Sequence, residues 1–185
     1  MKAWMKQYDM NVFLSDDYRD INFARENGIE NNILIPNGAD EREFSKEYKI
    51  DIRTELGIPE DHFLILNVGS HTGIKGHKEA IQMFKHTKLK NVALLIIANS
   101  FDGGCSKQCS RQNKRFNKSV LRQFDRKKLI VTSLSREDTV AAYQQADLFL
   151  FPSNIECSPI VLFECMASKT PFLTSVVGNS IEITK

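Results

Sequence analysis

From Phe63 onward the chain alternates short, uninterrupted apolar runs with longer stretches in which apolar residues recur at helical spacing. The runs are Phe63 to Val68, Val92 to Ala98, Leu129 to Val131, Leu148 to Phe151 and Phe172 to Thr174. A strand with one wet face alternates apolar with polar residues; these runs do not, so both of their faces must be covered. Between them, His77 to Thr87, Asn113 to Phe124, Arg136 to Gln145 and Pro159 to Ser168 read as amphipathic helices. The repeating strand-helix order predicts an α/β fold, a doubly wound parallel sheet of Rossmann-like type.

The front of the chain is patterned differently. A short apolar run, Asn11 to Ser15, precedes a polar helical stretch, Asp16 to Asn27, which Gly28 closes as a left-handed cap. A second run, Ile33 to Ile35, enters Pro36-Asn37-Gly38, a tight turn or linker. Residues Glu41 to Ile58 are charged, with one short helix, Ile50 to Leu56, ended by Gly57 and followed by Pro59. This divides the chain into a β-α step at 1–35, a hinge and linker at 36–58, and a sheet domain at 59–185. The last residues, Ser180 to Lys185, read as the start of a further helix, so the expected sheet domain lacks a closing element.

Composition narrows the class. With 185 residues and 42% apolar content, one full core is affordable, and a net charge of +2 is too small for general nucleic-acid affinity. There is no membrane-length apolar run and no secretory leader at the N-terminus, so a cytosolic protein is expected. The four cysteines suit reduced thiols better than a disulfide framework. Cys105 and Cys109 stand at i, i+4 and form half of a metal site, but no second Cys or His pair follows at ligand spacing, so no metal is expected.

Two segments carry candidate chemistry. The first is Val68-Gly69-Ser70-His71-Thr72-Gly73-Ile74-Lys75-Gly76-His77, a glycine-rich turn between strand and helix. Unpaired amides at a helix N-terminus and the Lys75 ammonium can hold a phosphate. It is neither a Walker loop, since Lys75 is followed by Gly76, nor a Gly-x-Gly-x-x-Gly fingerprint. Taken alone it is equally a tight turn with a solvated lysine.

The second segment holds Glu156 and Glu164, eight positions apart. The strand ending at Phe151 delivers Glu156 to the C-terminal edge of the sheet, where open α/β sheets bind ligands, and both acids are expected to face one crevice. Ser158 reads as an N-cap and Pro159 as the first helical residue, which sets free amides beside Glu156. Glu164 sits among Val161, Leu162, Phe163, Cys165 and Met166, where a buried acid needs a partner. The plain alternative is a capping acid and a solvent-facing helix acid.

Taken in order, these residues resemble a known family. Ile35-Pro36-Asn37-Gly38-Ala39-Asp40 with Phe44, Val68-Gly69 with Lys75-Gly76, Ala146 to Ser153, the Glu156-x7-Glu164 pair, Met166-Ala167 and Pro171 are similar to the retaining glycosyltransferases of GT-B fold. More narrowly they resemble the group 1 type that builds lipopolysaccharide, capsule and other glycans. The resemblance implies that residues 1–35 belong to an acceptor-binding domain, that Pro36-Asn37-Gly38 is the interdomain hinge, and that the rest is an incomplete nucleotide-sugar domain.

It further implies a nucleotide diphosphate sugar as donor, a glycan or lipid-linked acceptor, and no cofactor. Lys75 then contacts the diphosphate, Glu156 the transferred sugar and Glu164 the ribose hydroxyls. Gly69, Ser70 and Gly76 shape the phosphate loop, and the backbone from Cys157 through Ser158 and Pro159 to Ile160 forms the region whose amides, Pro159 excepted, hold sugar or phosphate. No Asp-x-Asp pattern is present, which agrees with metal-independent transfer.

The chain departs from the family where Ser70 replaces a common arginine, and where Asn99 to Gly104 replaces a Gly-Asp-Gly type turn. The first departure is what favours the competing reading, an α/β nucleotide-binding or regulatory module without activity.

One segment stands outside these motifs. Between Lys107 and Lys128, nine of 22 residues are Lys or Arg, with Asp125 the one acid. Such a run can hold the inner face of an anionic membrane near a lipid-linked acceptor. The preferred reading is plainer, a solvated helix face with Val120, Leu121 and Phe124 turned to the core, and no function is assigned to the segment.

Overall fold

The computed structural model describes residues 1–99, 104–120 and 124–185. Its centre is a five-stranded parallel sheet built from β3 (Phe63–Val68), β4 (Val92–Ile97), β5 (Lys127–Thr132), β6 (Leu148–Phe151) and β7 (Phe172–Thr174), in the order β5-β4-β3-β6-β7. Every neighbouring pair is parallel, with Ile65 opposite Leu94 and Leu148, and Phe149 opposite Phe172. The doubly wound α/β expectation holds.

The uninterrupted apolar runs are explained by helices on both faces. Leu64, Leu66, Ala93 and Leu95 pack with Val140 and Tyr143 of α7 (Arg136–Gln145) and with Leu162 and Cys165 of α8 (Ile160–Ala167). The alternate residues Ile65, Leu94 and Ile96 pack with Ile81 and Phe84 of α5 (His77–His86) and with Cys109 and Phe116 of α6 (Ser106–Asn117). Period-two alternation sends successive side chains to opposite faces, and here both faces are dry.

In front of this sheet lies a separate two-stranded parallel sheet of β1 (Asn11–Phe13) and β2 (Asn32–Leu34), joined by α2 (Arg19–Glu26). Its small core is Phe13, Ile21, Ala24 and Ile29. Short helices α1 (Lys2–Met5), α3 (Glu41–Phe44), α4 (Ile52–Glu55) and α9 (Ser180–Ile183) complete the described elements. Asp40 and Asp51 cap α3 and α4 by accepting from the Arg42 and Arg53 amides.

Three expectations need correction. The helix expected at Asn113 to Phe124 is α6, which starts at Ser106 and ends at Asn117. Its core contacts are Cys109 and Phe116, too sparse a stripe among polar residues to mark its start. Val120 and Phe124, expected to face the core, are 64% and 80% exposed; Leu121 lies outside the described residues. Strand β5 begins earlier than expected, at Lys127, whose buried stem lets Nζ donate to the Thr87 carbonyl at 2.5 Å.

The third correction concerns α8. Its cap is Pro159 rather than Ser158, and no side chain caps it. Among the described residues no helix is long and apolar enough to cross a membrane.

Candidate functional site

The chain leaves β3 toward β4 and β5 on one side, while β6 and β7 lie on the other. Strands β3 and β6 therefore flank the point where the winding reverses, and the loops beyond their carboxyl ends diverge into a crevice. The β3-α5 loop carries Gly69, Ser70, Lys75 and Gly76; the β6-α8 loop carries Glu156, Cys157, Ser158 and Pro159. The two loops are bonded together, the Asn154 amide donating to the Ile74 carbonyl at 2.9 Å. Gly76 makes this approach possible: at φ +72, a Cβ there would stand 2.1 Å from the Pro152 carbonyl oxygen.

Across this seam Lys75 meets Glu156. Nζ donates to both carboxylate oxygens, at 2.9 and 2.8 Å. The Glu156 side chain is 8% exposed, and Lys75 more open, at 28%. Ser153 Oγ stands 2.8 Å from Glu156 Oε1 and 3.0 Å from the Ile74 carbonyl, and its single proton serves one of them at a time. Gly69 backs the lysine, since a Cβ at Gly69 would press on the Lys75 stem at 3.2 Å.

A cavity of about 310 Å³ opens beside this pair, lined by Gly69, Ser70, Lys75 and Glu156 together with Ser158, Pro159 and Ile160. The uncapped start of α8 borders it, so amide dipoles face the cavity. The wall is fixed from behind. Asn37 Nδ2 donates to the Ser158 carbonyl at 2.8 Å, Asn179 Nδ2 to Ser158 Oγ at 3.2 Å, and Tyr18 OH to the Glu156 carbonyl at 2.8 Å. Cys157 faces away, lining a smaller cavity against Phe13, Tyr18 and Ile21, and burial pushes its thiol pKa up.

Glu164 is not among the residues that line the 310 Å³ cavity, and it is held by a different set of partners from Glu156. Its carboxylate turns to the helix layer, where Arg136 Nη1 donates to Oε1 at 2.6 Å and Tyr143 OH to Oε2 at 2.9 Å. Arg136 also grips Glu43 through Nε at 2.9 Å and Nη2 at 2.7 Å, and lies over the Phe44 ring. That grip holds the Glu43 carboxyl below the usual carboxylate range. Burial and then the Glu164 charge keep the Tyr143 phenol protonated far above its ordinary pKa. The apolar neighbours of Glu164 in the sequence did signal the need for a partner; nothing in the pattern identified Arg136, Tyr143 or Glu43.

Sequence reasoning named Asn37 and Ser153 only as members of motifs and did not single out Tyr18 or Asn179; folding brings all four to the cleft. Sequence reasoning missed one further cluster. His71 and His77 come together with Cys105 and Cys109, their ligating atoms all within 4.8 Å of one another. The second pair lies upstream of the cysteines, not downstream where a ligand pattern was sought. Burial lowers the His71 pKa and takes that of His77 down to about 4. Of the Asn99 to Gly104 turn, residues 100–103 lie outside the described residues.

Comparison with known proteins agrees with this geometry. Residues 48–185 match the family Glycosyl transferases group 1. An uncharacterised glycosyltransferase of Methanocaldococcus jannaschii is 32% identical over 158 residues, covering 82% of this chain and 38% of its own length. Among solved structures, sucrose-phosphate synthase of Thermosynechococcus elongatus superposes with a TM-score of 0.71 at 24% identity, over 96% of this chain and 43% of that one. HepE of Anabaena, in complex with UDP-glucose, gives 0.69 at 19% identity, over 94% and 46%. The chain thus spans less than half the length of these relatives, and its fold is that of the corresponding part of each. A lysine and a glutamate joined at the switch point of a doubly wound sheet, within a segment that matches throughout, make this chain a member of the group 1 glycosyl transferases.

Proposed function

We propose that the chain supplies the donor-binding half of a retaining glycosyltransferase, which moves a sugar from a nucleotide diphosphate sugar to a glycan or lipid-linked acceptor. The observation that carries this reading is the Lys75–Glu156 pair beside the uncapped start of α8. A departing nucleoside diphosphate gains negative charge, and a lysine with fixed amide dipoles lowers the barrier to its departure. Lys75 has three protons and spends two on Glu156, which leaves one to meet a phosphate oxygen. In this reading the transfer step uses these groups and no metal ion.

Glu156 is proposed to contact the sugar, with its charge balanced by Lys75 so that the diphosphate is not repelled. Glu164 is proposed to hold the ribose hydroxyls. A carboxylate offers about four acceptor positions, and Arg136 and Tyr143 each take one, so the remainder can accept from vicinal hydroxyls. Glycan assembly at the cytoplasmic side of a membrane is the setting this reading favours.

Calorimetric titration with UDP-, GDP- and ADP-sugars tests the donor site. UDP-glucose is the first to try, because HepE is described in complex with it. Saturable binding of one nucleotide family is expected. A folded protein that binds none of them would overturn the donor assignment.

A further inference from the structure

We propose that His71, His77, Cys105 and Cys109 bind one zinc ion, which ties the loop carrying Lys75 to the start of α6. The four side chains come from three separate places. His71 lies in the β3-α5 loop, His77 opens α5, and Cys105 and Cys109 stand one turn apart at the N-terminal end of α6. Their ligating atoms lie within 4.8 Å of one another. Nδ1 of His71 is 3.4 Å and Nδ1 of His77 3.3 Å from Cys105 Sγ, and the two imidazoles stand edge to face with centroids 5.0 Å apart. In a tetrahedral site with bonds of about 2.3 Å to sulfur and about 2.0 Å to nitrogen, ligand atoms are separated by roughly 3.3–3.8 Å. The cluster needs only a small contraction to close on the ion.

The surroundings favour a ligand over an ordinary packed core. His71, His77 and Cys109 are buried, and Nδ1 of each imidazole faces the Cys105 sulfur. Burying several polar groups that satisfy one another this weakly is costly, and a cation shared by all four removes the cost. The backbone is already set for it. The Cys105 amide donates to the His71 carbonyl at 3.2 Å, and Gly104, at φ +55, packs so closely that a Cβ there would stand 1.5 Å from that oxygen.

Two thiolates and two imidazoles select zinc over magnesium or calcium, which prefer oxygen. Four protein ligands leave no open position for water, which is the arrangement of a structural ion rather than a hydrolytic one. Lys75 lies between the two histidines in sequence, so the ion would pin both ends of the segment that presents it. The zinc proposal stands independently of the donor assignment: either can fail while the other holds.

The test is metal content, measured by mass spectrometry on the chain expressed with zinc and dialysed against metal-free buffer. About one zinc per chain is expected. Cys109→Ser and His71→Ala should lower zinc content at least about tenfold, while Cys165→Ala, which removes a thiol outside the cluster, should keep it. Cobalt substitution should give the intense visible bands of a tetrahedral thiolate site. If the ligand variants do not fold, chelation of the unaltered chain decides: the melting temperature should drop and recover when zinc returns. Zinc lost on dialysis, no tetrahedral cobalt spectrum, or a Cys105–Cys109 disulfide formed in preference to metal binding would each overturn the proposal.

Discussion

The region around Glu156 and the region around Glu164 hold the same side chain, both 8% exposed, under opposite constraints. Glu156 sits in a loop, at the edge of a cavity, and its cation comes from another loop across the switch point. Glu164 sits inside a helix, and its partners are an arginine and a tyrosine from the neighbouring helix. The first pairing leaves a lysine with a free proton beside open space. The second is held by two partners, with Arg136 further committed to Glu43. The difference shows that charge burial alone does not mark a reacting group: two equally buried carboxylates differ in that Glu156 borders the cavity.

The largest expected effect is on the Glu164 side. Glu164→Ala strands the buried Tyr143 hydroxyl and takes one partner from Arg136. Removing one member of a buried pair costs about 3–5 kcal/mol. The low end applies here, because Arg136 is 49% exposed and keeps Glu43. At about 3 kcal/mol the melting temperature should fall by roughly 6–12 °C for a chain of this size. A fall within 1 °C or so of zero by thermal denaturation would show that the network contributes nothing, and the contrast between the regions would collapse.

Lys75→Ala should lower both stability and donor affinity. It leaves the buried Glu156 carboxylate with Ser153 alone, and donor affinity should fall roughly tenfold to a hundredfold, the value of a hydrogen bond to a charged group. Equal nucleotide-sugar affinity for Lys75→Ala and the unaltered chain, by calorimetry, would remove the lysine from the proposed phosphate contact.

The smallest effect is in pH dependence. Arg136 depresses the Glu43 pKa in the folded state, so the native carboxyl binds a proton less readily than the unfolded one. The stabilisation is complete above the ordinary value of 4.5 and is lost as pH falls from there through the depressed folded pKa. Because both partners are partly exposed, its size is about 1 kcal/mol or less. Glu43→Gln should flatten the acid limb of the stability curve by that amount, and an acid limb identical in both proteins would show that the pair is electrostatically idle.

How much of this was legible in the chain depends on the range of the interaction. The strands β3, β6 and β7 and the helix α7 were readable to the residue, because dense apolar runs and regular periodicity are local signals. Helix α6 was misplaced, since only Cys109 and Phe116 reach the core and a polar stretch with two contacts has no period to read. At the cleft, Lys75 and Glu156 were visible as residues in special loops. The bonds that Tyr18, Asn37 and Asn179 make to residues 156 and 158 were not, because each is set by a segment distant in the chain.

The sequence by itself determined the layered α/β architecture, the loops that reach the sheet edge and the residues in them that can carry charge. Burial patterns and turn chemistry are written in neighbouring residues, so they survive without coordinates. Only the tertiary structure decided that Lys75 pairs with Glu156, that Glu164 pairs with Arg136 and Tyr143, and that two histidines meet two cysteines. Those choices depend on strand order and on the direction each side chain takes at the end of its element. Residues 21 to 81 positions apart in the chain come within bonding distance there, and a one-dimensional pattern holds no record of which distant segment packs alongside.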